Sequence, residues 1–110
     1  MSGPLARLFG YRLMTYSLEF HEKALKEWKK LDRAVQLRLK EKLRERLEQP
    51  VVPSARLNGS RNRYKIKLKD PGIRLVYEVV EDRLVVCVMA VGKRERSEAY
   101  VRAGGRSYGP

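Results

Sequence analysis

The 110-residue chain has few of the cysteine and histidine side chains that many hydrolases and metalloproteins use. It contains one cysteine, Cys87, and one histidine, His21. A single cysteine excludes an internal disulfide, and no spacing of cysteine and histidine resembles a zinc site. We therefore expect no metal, no cofactor and a reducing, cytoplasmic setting. Cys87 lies in an apolar run, which indicates a small buried side chain rather than a nucleophile.

The lack of a second histidine also limits catalysis. His21 stands just before the first predicted helix, and no partner for it is visible in the sequence. We expect it to be an N-cap or a surface residue. A ribonuclease that uses paired histidines, or a His–Glu pair, is therefore not predicted.

A long apolar run is also missing. The opening residues, MSGPLARLFGYRLM, are interrupted by Arg7, Gly10 and Arg12, so they predict neither a signal peptide nor a membrane span. We interpret residues 1–13 as a disordered or non-native extension, with Met14 as a candidate start. Residues 14–103 would form one domain, and the Gly-rich residues 104–110 a flexible tail.

Acidic residues are scarce relative to basic ones. The chain has 13 Asp and Glu against 25 Lys and Arg, a net charge of +12 and a pI near 10.2. A small domain this basic indicates a polyanionic partner, most often nucleic acid or the ribosome.

The periodicity of apolar residues changes early in the chain. Alternation over residues 16–20 predicts a short strand, and a helical period begins at Glu22. Asp32 is placed to end this helix and cap a second one, which stops at Pro50. The second helix is rich in basic residues, which form either a solvated face with i,i+4 ion pairs or a surface that contacts phosphates.

A basic loop at residues 54–63 leads into the rest of the fold. Three strands follow, at residues 64–69, 73–80 and 84–91. The last is so apolar that we expect an inner strand covered on both faces and ended by Gly92. Residues 93–101 predict a short helix or turn. This order predicts an α+β domain: a strand, a two-helix hairpin, a three-stranded antiparallel sheet and a short C-terminal helix, with the helices on one face.

The strand hairpin carries an unusual charge pattern. If Pro71 and Gly72 form its tip, Lys69 faces Arg74 across the strands. The cations on the face away from the two helices are then Lys65, Lys67, Lys69 and Arg74. Like charges placed opposite each other cost about 0.2–1 kcal/mol per pair. Protection of an edge strand by lysine explains one or two of them. The whole set, with the basic cluster after the third strand, favours a phosphodiester site.

Cations alone are compatible with RNA cleavage, because RNA supplies its own 2′-OH nucleophile. The reaction needs that hydroxyl deprotonated, the phosphorane charge stabilised and the 5′-oxygen protonated. Lysine is a poor base at its free pKa of about 10.4, but neighbouring cations lower that pKa. Arginine matches phosphate geometry, and tyrosine stacks on a base or donates a proton.

Four segments, ALKEWKKL, YKIKL, GIRLVYEV and VGKRERSEAY, resemble the RelE-type toxins of bacterial toxin–antitoxin pairs, over residues 16–100. The resemblance implies a compact α+β fold akin to microbial RNases. It also implies a ribosome-dependent endoribonuclease that cuts mRNA in the ribosomal A site and leaves a 2′,3′-cyclic phosphate and a 5′-hydroxyl.

The resemblance also implies partners. These are the 70S ribosome with its mRNA and a cognate RelB-like antitoxin that wraps the toxin. Operator DNA would be contacted only through the antitoxin complex, and no membrane partner is expected. The antitoxin would cover the basic face and disturb the Arg94–Tyr100 segment.

Roles carried over from the matching motifs define the candidate catalytic set. Lys67 would be the general base, and Lys65 would stabilise charge beside it. Arg74 would clamp the phosphate, Arg94 would be the general acid or leaving-group stabiliser, and Tyr100 would stack on the substrate.

A wider set of residues would contact RNA. In the middle loop Asn58 stands where the family often has arginine, and Arg56 or Arg61 would substitute for that contact. The candidate RNA-binding residues are Arg56, Asn58, Arg61, Arg63, Lys69, Lys93 and Arg96.

Three other functions fit parts of this pattern. ParE-type proteins of the same fold poison DNA gyrase, a related toxin could cut free RNA, and a non-enzymatic protein could bind RNA with the same basic face. The candidate catalytic residues occurring together favour the RelE-type activity over the ParE-type one.

Overall fold

The computed structural model describes residues 15–109, and the predicted extension at residues 1–13 lies outside them. The strands are β1 (Ser17–Phe20), β2 (Arg63–Leu68), β3 (Ile73–Val80) and β4 (Val85–Lys93). The α-helices are α1 (Glu22–Lys29), α2 (Arg33–Glu48) and α3 (Glu98–Gly104). Short 3₁₀ turns lie at Pro53–Ala55, Glu81–Arg83 and Glu95–Ser97. The predicted α+β order is confirmed. In the described residues no helix is long and apolar enough to cross a membrane.

The four strands form one sheet in the order β1-β4-β3-β2. β1 pairs with β4 in parallel, whereas β2–β3 and β3–β4 are antiparallel. The prediction of a three-stranded sheet is wrong by one strand, because β1 adds to the free edge of β4. This leaves β2 as the opposite edge.

The hairpin register differs from the prediction. Lys67 pairs with Arg74, so the loop has four residues, 69–72, rather than two. A hydrogen bond of 3.2 Å from the N–H of the last loop residue to the carbonyl of the first closes it. The predicted register is therefore wrong by two residues. Because side chains alternate with a period of two, the predicted faces are unchanged.

One face of the sheet packs against α1 and α2. Trp28 of α1 and Leu39 and Leu43 of α2 contribute to this core. The buried residues from β2 and β3 on this side are Tyr64, Ile66, Leu68, Ile73, Leu75, Tyr77 and Val79. The Tyr77 hydroxyl donates to the carbonyl of Pro50 (2.7 Å) and accepts from Nη1 of Arg46 (2.8 Å). Burial raises the pKa of the Tyr77 hydroxyl. This hydroxyl is bonded inside the fold and has a structural role.

The other face of the sheet is covered by α3. Ala99 and Ala103 of α3 pack on a second cluster formed by Val76, Val85, Cys87, Met89 and Ala90. The expectation that all helices lie on one face is therefore wrong. The apolar side chains of β4 point to both faces, and the second set needs a cover that only the C-terminal segment provides.

β4 is the inner strand that its composition predicts. Residues 85–92 are buried throughout, which confirms the two-sided cover. Its bounds differ at both ends. Leu84 has φ of +54° and ends the preceding turn, and Gly92 does not end the strand, which continues to Lys93.

Local predictions at the helix starts are confirmed in position. His21 is the N-cap of α1, and its Nδ1 accepts a hydrogen bond from the backbone N–H of Lys23 (3.1 Å). Asp32 is the N-cap of α2, although its side chain makes no capping hydrogen bond. Cys87 is buried, and burial raises the pKa of its thiol to about 11. The thiol stays protonated at neutral pH, as expected for a packing residue.

The C-terminal segment is tied to α1 through Glu27. Nη2 of Arg106 lies 2.6 Å from Oε2 of Glu27, and Nε of Arg102 lies 3.7 Å from the same oxygen. Arg106 also donates to the carbonyl of Met89 (2.9 Å). Tyr108 donates to Glu19 (3.2 Å). The flexibility and the domain limits predicted for residues 104–110 stay predictions.

Glu27→Gln tests this anchor. Burial alone would raise the pKa of Glu27, but the hydrogen bond from Arg106, with further help from the Val91 N–H and the Arg102 charge, lowers the net pKa. The carboxylate therefore stabilises the fold above its ordinary pKa of 4.5, and this contribution is lost as the pH falls below that value. We expect a loss of about 1–3 kcal/mol at pH 7, measured by urea unfolding.

Glu41→Gln, on the exposed side of α2, is the control and should change stability little. The difference between wild type and Glu27→Gln should shrink as the pH falls from 5 towards about 3. A difference independent of pH would contradict the assignment.

Candidate functional site

Three predicted catalytic residues lie on the part of the sheet that α3 leaves uncovered. Lys65 and Lys67 are on β2, the edge strand, and Arg74 is directly opposite Lys67 on β3. Their side chains point away from α1 and α2, because Ile66 and Leu75 fill the core on that side. Opposed side chains have Cβ atoms about 4.5–5.5 Å apart. The structure therefore brings Lys67 and Arg74 together.

Among the described residues, these cations form no ion pair with an acidic side chain. Within residues 15–109, no hydrogen bond or ion pair engages the ammonium groups of Lys65 and Lys67. Arg74 makes one side-chain hydrogen bond, to the carbonyl of Ile73 (3.2 Å). Two like charges face each other without compensation, so the site favours an anion.

α3 places Tyr100 beside Lys65. Tyr100 packs partly buried on the cluster under α3, and it lines an open cleft of about 700 Å³ together with Lys65. The other walls are the loop at residues 57–62 and the end of α3. An aromatic ring beside a cation in an open cleft suits a nucleotide, whose base stacks while its phosphate binds the charge.

Arg94 lies at the hairpin tip. Its backbone N–H donates to the carbonyl of Gly72 (2.8 Å), and its side chain packs closely over the same glycine. It lines a different cleft, shared with Lys69 and Lys93 and bordered by the α1–α2 connection. Arg94 and Tyr100 therefore line different clefts.

Four of the candidate catalytic residues lie at or beside neighbouring positions near the start of β3. The backbone of Arg94 bonds to Gly72, Lys67 pairs with Arg74, and Lys65 pairs with Val76. Positions 72 to 76 span roughly 13 Å of extended chain.

The predicted RNA contacts fall into two groups. Asn58 and Arg61 are exposed in the loop that lines the cleft with Tyr100, and Lys69 and Lys93 are exposed near the hairpin tip. Arg96 is exposed in the turn before α3. Arg56 is exposed too, but its guanidinium lies over the ring of Tyr64, 5.7 Å from the centroid.

Arg63 differs from the rest because its guanidinium is committed within the protein. It donates to Oε1 of Glu78 (3.0 Å), to the carbonyl of Ala103 (2.5 Å) and to the carbonyl of Arg106 (2.6 Å). Its side chain is only 17% exposed. Its predicted contact with RNA stays a prediction that must compete with these bonds.

Sequence reasoning missed the residues that seat α3. A methyl group at Gly92 would lie 2.7 Å from Cβ of Glu98 and 2.9 Å from the backbone nitrogen of Ala99, so only glycine lets the helix approach. Arg102 donates to the carbonyl of Val91 (2.7 Å) and fixes the helix from the same side. No periodic signal links a strand to the helix that covers it, and so neither role was visible.

The part of the chain that the structure describes contains no group of three or more Cys, His, Asp or Glu side chains arranged to hold a metal ion.

Comparison with known proteins adds the family. A family model described as the ParE toxin of type II toxin–antitoxin systems matches residues 18–98. The mRNA interferase toxin RelE of Escherichia coli strain K12 is 52% identical over 90 residues, covering 82% of this chain and 95% of the relative. The chain is a RelE-type toxin of this family.

Solved structures agree with this assignment. A substituted form of E. coli toxin RelE in the free state is 49% identical and covers 83% of this chain and 96% of its own, with a TM-score of 0.77. A chain of the intact E. coli RelBE toxin–antitoxin complex is 51% identical and covers 74% of this chain and 99% of its own, with a TM-score of 0.71. The RelE-like fold is confirmed.

Gly92→Ala tests the seating of α3. The added methyl group must push α3 from β4, and overpacking of this kind costs about 1–3 kcal/mol. Thermal unfolding should show the loss, and amide hydrogen exchange should show faster opening of α3.

Gly104→Ala is the control, since nothing lies within 4 Å of its added methyl group. Equal stability of the two variants would contradict the close approach.

Proposed function

We propose that this RelE-type toxin is a ribosome-dependent endoribonuclease that cuts mRNA in the ribosomal A site and so inhibits translation. The observation that carries the proposal is the pair of Lys67 and Arg74, which face each other at the edge of the sheet without an ion pair to any described residue. Lys65, on the same strand as Lys67, shares a cleft with Tyr100. The E. coli relative is named an mRNA interferase toxin, which supports the same reaction here.

The proposed reaction is an internal transesterification. The 2′-oxygen attacks the adjacent phosphorus, the bond from phosphorus to the 5′-oxygen breaks, and no water is consumed. Lys67 accepts the 2′-OH proton, and Arg94 protonates or stabilises the departing 5′-oxygen. The products are a 2′,3′-cyclic phosphate and a 5′-hydroxyl.

The remaining residues act on charge and position. Arg74 holds the phosphate oxygens with its planar donors, and Lys65 stabilises the negative charge of the phosphorane. Tyr100 stacks on the base next to the cut. Because Arg94 and Tyr100 line different clefts, a bound message must bridge them.

We attribute ribosome dependence to the lack of a strong acid–base pair in this site. A site without a strong acid–base pair gains most from alignment of the 2′-OH with the phosphate, which can contribute roughly 7–11 kcal/mol. The decoding site of the ribosome holds mRNA in a fixed conformation and would supply this alignment.

α2 offers the surface for ribosomal RNA. Arg38 donates to the carbonyl of Asp70 (2.6 Å) and Arg46 to Tyr77, so these two serve the fold. Its other basic residues are exposed: Arg33, Lys40, Lys42 and Arg44. Within the described chain, no ion pair joins Glu41 or Glu45 to a basic residue of the helix. This favours a surface that contacts phosphates over a solvated face with i,i+4 ion pairs.

The proposed partners include a cognate antitoxin. E. coli RelE has been solved in complex with antitoxin peptide RelBc, in a chain 49% identical to this one. We propose a RelB-like protein that covers the basic face and disturbs the Arg94–Tyr100 segment, and contact with operator DNA only through that complex. The toxin would act in the cytoplasm, where mRNA is translated.

Substitution of the catalytic set tests the reaction. Lys67→Ala and Arg94→Ala should each slow cleavage of ribosome-bound mRNA by about 10²–10⁴-fold, the range for loss of a general acid or base. Primer extension on mRNA from translating ribosomes is the measurement. The variants should still bind ribosomes.

Lys26→Ala, an exposed lysine on α1, removes the same charge away from the site and should leave cleavage unchanged. Undiminished cleavage by Lys67→Ala would contradict the proposed role of Lys67 as general base.

Ribosome dependence has its own test. The chain should cut the same message far more slowly when the ribosome is left out, by about 400-fold to 10⁴-fold if alignment supplies half of its usual contribution. Equal rates on free and ribosome-bound RNA would show a ribosome-independent ribonuclease instead.

A further inference from the structure

The guanidinium of Arg63 joins three parts of the molecule at the edge of the candidate site. Its Nε donates to Glu78 on β3, and its two terminal nitrogens donate to the carbonyls of Ala103 and Arg106. Glu78 is also its cross-strand partner. One side chain therefore ties the β2–β3 hairpin to the end of α3 and to the segment after it.

The attachment falls where α3 most needs it. The helix has only seven residues, too few to be stable alone in water. Its last carbonyls lack partners within the helix, and they carry the negative end of its dipole. A cation that donates to one of these carbonyls both satisfies the oxygen and opposes the dipole.

The same attachment lies beside two candidate catalytic residues. Lys65 follows Arg63 by two residues and so shares its face of β2. Tyr100 precedes Ala103 by three residues, on the same side of α3. Lys65, Tyr100 and Arg63 line one cleft.

We propose that Arg63 is a positioning residue that holds Tyr100 against Lys65, rather than a ligand of the RNA phosphate. A phosphate ligand needs an accessible guanidinium, whereas each of the three nitrogens of Arg63 already donates to a protein acceptor and the side chain is mostly buried. The inference rests on the proposed cleavage of mRNA, in which Tyr100 acts on the substrate.

Arg63→Lys is the decisive variant, because one ammonium group keeps the charge but cannot serve three acceptors in the fork geometry of a guanidinium. Single-turnover cleavage of ribosome-bound mRNA should slow by about 10- to 100-fold at saturating ribosomes, as expected for a misplaced group. The half-saturating concentration should stay the same. In a Tyr100→Ala background, Arg63→Lys should cost nothing further, because both changes remove the same contribution.

Amide hydrogen exchange of α3 gives a readout that does not depend on activity. Arg63→Lys should speed exchange in residues 100–103. Arg83→Lys is the matched control. Arg83 donates to Tyr108 (3.3 Å), so this variant alters a tail contact beyond α3 and should change neither the exchange of α3 nor the cleavage rate.

Other results would overturn the inference. Arg63 would be a phosphate ligand if Arg63→Lys raised the half-saturating concentration, lowered the salt dependence of binding by about one ion and left the exchange of α3 unchanged. Faster exchange with full cleavage rate would make it a stability residue only. If wild type fails to cut mRNA, the proposed function fails first; if wild type cuts and Arg63→Lys cuts equally well, only this inference fails.

Should Arg63→Lys not fold, Glu78→Gln keeps the arginine and removes the charge that orients it. The expected loss is smaller but again absent in the Tyr100→Ala background. An additive loss there would contradict the proposal.

Discussion

The close approach of α3 to β4 is the contact on which the arrangement of the site depends. No side chain larger than hydrogen fits at Gly92, where a methyl group would lie 2.7 Å from Cβ of Glu98. Ala99 and Ala103 complete the small-residue contact. Because the helix is short, three arginines hold it in place. Arg102 and Arg106 bind Glu27 of α1 and carbonyls of β4, and Arg63 reaches the helix from β2. This seating places Tyr100 in the cleft that Lys65 also lines.

The cations of the site are placed where the fold gains nothing from them. Lys67 faces Arg74 across the strands, and a like-charge pair of this kind costs about 0.2–1 kcal/mol. Elsewhere the same chain uses its arginines in bonds to carbonyls and carboxylates, as Arg63 and Arg106 show. The difference separates cations that build the molecule from cations kept free for an anionic substrate, and it agrees with the relationship to RelE-type toxins.

Local pattern predicted much of the fold, and distant contacts were beyond its reach. The alternation of β2 and β3 placed Lys65, Lys67 and Arg74 on one face even though the loop length was wrong, because an even shift in register preserves faces. The apolar content of β4 revealed a second covered face, but not which segment covers it. The sequence also grouped Arg63 with the RNA contacts, since charge alone does not distinguish a guanidinium that meets Glu78 from one that meets a phosphate. Similarly, its motif singled out Arg94, but the sequence did not show that its side chain packs against Gly72 at the hairpin tip.

The central claim is that cations on this sheet edge cleave RNA by using the 2′-OH of the RNA itself. The most direct measurement replaces the nucleotide on the 5′ side of the cut with its 2′-deoxy form in a ribosome-bound message and follows a single turnover. We expect no cleavage at that position, together with a 2′,3′-cyclic phosphate on the product of the unmodified message. Cleavage of the deoxy-substituted message at the same position would contradict it.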